Sequence, residues 1–138
     1  MKQILIPARY NYIGIFLTFE CNLRCSYCIN RFEPDLKQRA LLSGKDWVTA
    51  LNRLRTRGDL PVTLQGGEPM LHPDAVFIIN NLKPELPVDI LTNLQFDVRA
   101  FAKAVDPLRL KRDAPYASIR VSYHPEQMKL DDLLERVL

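Results

Sequence analysis

Cysteine is scarce in this chain: 138 residues carry three of them. That is too few, and too odd a number, for the disulfide framework that staples small secreted domains. Long apolar runs are missing too. Tyr12–Phe19 is far shorter than the about 20 residues that span a bilayer. Ile4-Leu5-Ile6 is broken by Pro7 and Arg9, and no small-residue cleavage site follows, so no signal peptide is read. Neither sign of charge dominates, the formal net charge being +3. Lys103, Arg109, Lys111 and Arg112 cluster without interleaved aromatics, so they read as a solvated helix end and loop rather than a nucleic-acid patch. Linkers, repeats and low-complexity segments are absent. These absences exclude a disulfide scaffold and argue against membrane and nucleic-acid partners. Clustered thiols without an export signal predict a reducing cytoplasm.

What is present is ordinary globular composition, with 47% hydrophobic and 25% charged residues. A single domain over 1–138 is expected, able to bury roughly 70% of the surface of its unfolded chain without covalent staples. Tyr12–Phe19 is β-branched and aromatic and apolar on both faces, as a central strand of a parallel sheet requires. Ser43 predicts a helix N-cap with Asp46 three residues on, and Trp47, Val48, Ala50, Leu51 and Leu54 keep helical spacing to a stop at Gly58. Pro61–Gln65 reads as a second strand. A helix opened by Pro73 follows, with Val76, Phe77, Ile79 and Leu82 inward. Val88–Thr92 and Ser118–Ser122 read as further strands. Helices are expected over Asp97–Val105, with Phe101, Ala104 and Val105 inward, and over Met128–Leu138, with Leu130, Leu133, Leu134 and Val137 on one face. A short strand at Lys2–Ile6 is also expected. The alternation, at about 30 residues per βα unit, predicts an α/β fold with right-handed crossovers and a parallel sheet of about four strands.

In such sheets functional groups gather beyond the carboxyl ends of the strands. Four segments are thereby brought to one rim: Cys21-x-x-x-Cys25-x-x-Cys28, then Gly66-Gly67-Glu68-Pro69, then Thr92-Asn93, then Ser122-Tyr123-His124. Soft thiolates select zinc or iron–sulfur, and three of them leave a four-coordinate metal one ligand short. His72 and His124 are the only histidines, and each precedes a proline, where local structure is the plainer role. Three cysteines on an iron–sulfur cluster leave one iron open to a small molecule. Gly66 and Gly67 permit close backbone approach, and Glu68 offers a carboxylate to an ammonium group.

Cys21-x-x-x-Cys25-x-Tyr27-Cys28 followed by Gly66-Gly67-Glu68-Pro69 resembles the paired signature of the radical S-adenosylmethionine (radical SAM) enzymes, over about Tyr12 to Ser122. The resemblance implies a 4Fe-4S cluster on Cys21, Cys25 and Cys28, with S-adenosylmethionine chelating the fourth iron. It implies that Gly66, Gly67 and Glu68 hold the methionine amino group, that Tyr27 presents its backbone to the adenine, and that Asn93 and Ser122 make polar contacts to cofactor or substrate. It further implies an electron donor such as a flavodoxin or ferredoxin. Reductive cleavage would then release a 5′-deoxyadenosyl radical that takes hydrogen from an unknown substrate. Tyr10, Tyr123 and His124 are candidate substrate contacts. No catalytic acid or base is named, because the cofactor carries the chemistry.

The family's partial (βα)6 barrel needs roughly 180 residues at that repeat length. The chain is therefore expected to be the N-terminal part of a longer core domain, with a compact variant as the alternative. Its last strand is expected to leave an open edge prone to self-association. The non-enzymatic alternative is a module, or a non-catalytic fragment, holding zinc or an iron–sulfur cluster for structure or electron transfer.

Overall fold

The structure is a computed structural model that describes residues 2–32, 40–58, 60–114 and 117–138. Its elements, in chain order, are β1 (Ile4–Leu5), β2 (Gly14–Thr18), α1 (Gly44–Leu51), β3 (Leu54–Arg55), β4 (Val62–Gly66), α2 (Ala75–Asn81), β5 (Val88–Thr92), α3 (Val98–Ala104), α4 (Pro107–Leu110), β6 (Ile119–Val121) and α5 (Leu130–Val137). Four strands form one parallel sheet in the order β2-β4-β5-β6, and β1 pairs with β3 in a separate parallel pair. Spatial order follows chain order with no reversal. Each new strand is added at the same edge, as in a sector of a βα barrel rather than a doubly wound sheet.

Alternation along the strands separates two faces. Leu17, Val62, Leu64, Val88 and Ile90 face the helical layer and form one buried core with Leu51, Ala75, Ile78, Ile79, Leu82 and Val105. Thr63, Gln65, Asp89, Leu91 and Arg120 alternate with them on the opposite face. There the Asp89 carboxylate is fully buried, with the Arg120 guanidinium at 3.0 Å and that of Arg112 at 3.8 Å. A buried carboxylate needs such cationic company.

Several expectations are corrected. Among the described residues β2 is an edge strand, not a central one. Its apolar character on both faces reflects core packing by Leu17 on one side and a stack of Phe16 on Phe19 (5.4 Å) on the other. The Ser43 cap forms as read, its oxygen accepting from the Asp46 N–H at 3.2 Å. The helix, however, stops at Leu51 rather than Gly58, because residues 53 and 55 turn their carbonyls to the N–H groups of Ile4 and Ile6 at 2.8 and 2.9 Å. α2 begins at Ala75, two residues past Pro73, and buries Ile78 rather than Phe77, which is 40% exposed. Ala104 is exposed. On α5 only Leu133 is buried, against Leu94 and Met128, while Leu130, Leu134 and Val137 stay in solvent. α4 was not anticipated. Two of the basic cluster are structural rather than solvated: Arg112 faces Asp89, and Arg109 donates to the carbonyls of Ile79, Lys83 and Leu86.

Candidate cofactor site at the strand ends

The Gly66-Gly67 turn exists because β4 runs hard against the end of β2. Gly66 has φ +148°, open only to glycine at low cost. A Cβ on Gly66 would overlap the Thr18 carbonyl oxygen, and one on Gly67 would overlap that of Glu20. The close approach lets Gly67 N–H donate to Thr18 O at 2.9 Å and Glu68 N–H to Glu20 O at 2.8 Å. These two consecutive amides of the turn thus fasten it to the strand that carries the cysteines.

Glu68 is fully buried. Its Oε1 accepts from Met70 N–H at 3.1 Å and from the Thr92 hydroxyl at 2.7 Å, and its Oε2 from Asn93 N–H at 2.8 Å. Burial pushes its carboxyl above the ordinary value, and the three donors pull the other way. A carboxylate has about four lone-pair sites, so three donors leave room for one more.

The cysteine loop is stitched to every strand end on the rim. Asn22 donates to Gln95 O at 2.5 Å and accepts from Asn93 Nδ2 at 2.8 Å. Asn30 donates to Gly66 O at 3.2 Å. Beyond β6, Glu126 accepts from Ser26 N–H at 2.9 Å and from the Ser26 hydroxyl at 2.5 Å, and Gln127 Oε1 accepts from Arg24 N–H at 3.3 Å. Tyr27 stacks on His124, ring centroids 5.9 Å apart, and its hydroxyl lies 2.9 Å from His124 Nδ1.

Cys21, Cys25 and Cys28 are free thiols that line one cavity of about 400 Å³. They also line an adjoining cavity of about 360 Å³ that reaches Tyr27, Gly66, Gly67, Asn93 and Ser122. Glu68 is not among its lining residues but bonds to two of them, Thr92 and Asn93. Partial burial raises the Cys21 thiol; the Leu23 N–H lowers it, and Glu68 and the other two cysteines add to the rise. Among the described residues no three potential ligands converge as a single metal ion requires. Three thiols lining one cavity are a donor set that an iron–sulfur cluster, whose ligands attach to separate irons, can use.

Of the other candidates, His124 reaches the cavity, whereas neither Tyr123 nor Tyr10 lines it; an Arg9 guanidinium lies over the Tyr10 ring at 5.2 Å. His72 is buried as local structure: its Nδ1 accepts from Asp74 N–H at 3.1 Å, so its Nε2 donates to Leu42 O at 2.9 Å. Reading the sequence brought Thr92 to the rim without giving it a role, and missed Asn22, Asn30, Glu126 and Gln127 as parts of the site. Thr92 and Asn22 adjoin residues already singled out, so adjacency was a usable signal for those two. Nothing local marks Glu126.

A sequence model of the radical SAM superfamily matches residues 15–135. The chain belongs to that family. It is 36% identical to human molybdenum cofactor biosynthesis protein 1 over 76 residues, covering 54% of this chain and 12% of the relative. It is 32% identical over 108 residues to a GTP 3′,8-cyclase of Campylobacter jejuni, covering 75% of this chain and 33% of the relative. A GTP 3′,8-cyclase of Haemophilus influenzae is 27% identical over 115 residues, covering 83% and 33%. The chain therefore spans a third or less of the length of these curated relatives. The radical SAM fold is present as the four-stranded parallel sector described above. No helix among the described residues is long and apolar enough to cross a membrane.

Proposed function

We propose that residues 1–138 form a single unit, the N-terminal part of a radical SAM core domain, that binds a 4Fe-4S cluster through Cys21, Cys25 and Cys28. The observation that carries the reading is that the three thiols share a cavity with Tyr27, Gly66, Gly67, Asn93 and Ser122, from four different strand ends. Glu68 would take the methionine ammonium on its remaining lone pair, with Gly66 and Gly67 giving close backbone approach. Tyr27 and Ser122 would flank the nucleoside, and the cavity walls would exclude water. When bound and reduced, the cluster and S-adenosylmethionine supply a 5′-deoxyadenosyl radical for hydrogen abstraction from the substrate. A flavodoxin- or ferredoxin-type donor and a cytoplasmic setting complete the proposal. GTP, named for two of the relatives, is the first substrate to add to the assay.

The second reading is a module that holds a cluster or zinc without turnover. It is favoured by the three internal donors already on Glu68, which give the Gly-Gly-Glu turn a structural task of its own. One experiment divides them. The protein is reconstituted without oxygen, iron and sulfide are counted, and it is reduced in the presence of S-adenosylmethionine. Production of 5′-deoxyadenosine, lost in Cys25→Ala, supports the enzyme. Iron without that product supports the module, and zinc without iron overturns the first reading.

A further inference from the structure

We infer that Asn93 is a positioning residue for the sulfur of Cys21, holding it by an N–H···S contact. The inference rests on the cluster reading above. Gln95 N–H reaches Asn93 Oδ1 at 2.8 Å. A backbone N–H can only donate, so the amide orientation is fixed, and Nδ2 is the atom turned to the cysteine loop. Its two hydrogens are directed to Asn22 Oδ1 at 2.8 Å and Cys21 Sγ at 3.7 Å. The donors of the side chain are therefore taken, and the residue is 5% exposed.

The backbone is arranged to hold this aim. Asn93 N–H is bound by the buried Glu68 carboxylate at 2.8 Å. The next residue, Leu94, has φ +60°, an unusual conformation for a bulky side chain, and Thr92 Oγ1 accepts its N–H at 2.9 Å. The Gly-Gly-Glu turn thus holds Asn93, and Asn93 holds Cys21. Leu23 N–H, 3.4 Å from the same sulfur, is a second donor. An N–H aimed at a ligating thiolate stabilises the extra negative charge of the reduced cluster and raises its potential.

The test compares the parent chain with Asn93→Ala and Asn93→Asp after anaerobic reconstitution without S-adenosylmethionine. Iron per chain is counted, and the midpoint is read by a redox titration followed by electron paramagnetic resonance. Both variants are expected to titrate at a more negative potential. The expected size is on the order of tenfold in the reduced-to-oxidised ratio, equivalent to about 59 mV for a one-electron couple. The aspartate keeps the Gln95 bond but brings negative charge to the sulfur, so its shift is at least that of alanine. It also covers the case in which the alanine variant does not fold. A folded variant that loads iron poorly supports the inference as well, because the sulfur has lost its placement. Parent-like iron content and midpoint in either folded variant, or a shift to more positive potential, overturns it. A parent that binds no iron overturns the cluster reading and this inference together.

Discussion

Alanine at Gly66 or Gly67 would drive a methyl group into a backbone carbonyl that cannot retreat, since the same carbonyls hold the turn. Each substitution is expected to lower the unfolding free energy by about 1–3 kcal/mol in urea titration. Gly58→Ala is the control, with nothing within 4 Å of its added carbon and a change expected within about 0.5 kcal/mol. Glu68→Gln replaces one acceptor position with an NH2 group, as protonation replaces it with an O–H, so parent and variant are expected to match within about 1 kcal/mol at low pH. The pH dependence has a definite sign. Burial raises the Glu68 carboxyl above its ordinary 4.5, so the folded state holds the proton more tightly than the unfolded state. That contribution is fully present below 4.5 and is lost as pH rises through the higher folded value. The parent should accordingly lose stability relative to Glu68→Gln as pH rises through that window, read by urea titration at each pH. The cysteines and glycines were legible because their meaning lies in spacing. Complete burial of Glu68 was not, since it depends on Thr92 and Asn93, which the sheet brings from another strand.

At the level of elements, Ser43→Ala removes the cap on α1 and should cost about 1 kcal/mol, with a matching loss of helical circular dichroism at elevated temperature. Ile78→Ala should cost about 2–5 kcal/mol, and Phe77→Ala much less, because Ile78 is wholly buried and Phe77 is on the outside. A reversed ranking in denaturant titrations would refute the observed phase of α2. That phase was illegible for a physical reason. Ala75-Val76-Phe77-Ile78-Ile79 is an unbroken apolar run, and a run without polar breaks fits any rotation of a helix until packing chooses one. β3 failed differently: Leu54 keeps helical spacing with Leu51, yet its backbone pairs with Ile4, far earlier in the chain. The strands were read more surely, since short β-branched runs and the segments that end them are local.

For the molecule as a whole, β6 pairs with β5 on one side alone among the described residues, and its Val121 is 38% exposed. An unpaired parallel edge invites a second copy. Sedimentation is expected to reveal dimers or larger species as concentration rises, and a sharp monomer at high concentration would sink this expectation. The gathering of four strand ends on one rim was legible, because βα alternation dictates it. The ties that fasten the cysteine loop to Glu126, Gln127 and His124 were not, since they join residues about 100 positions apart.

Spatial order equal to chain order also bears on how the molecule assembles. A chain growing from its N-terminus lays each strand of the sheet against one already made and never has to break an existing pairing to admit a newcomer. The ties to Glu126, Gln127 and His124 close loops of about 100 residues, so they are expected to form last. Thiol labelling during refolding is expected to find the cysteines accessible after β2 and β4 have paired and protected once the residues beyond β6 latch the loop; protection that precedes strand pairing would refute this order.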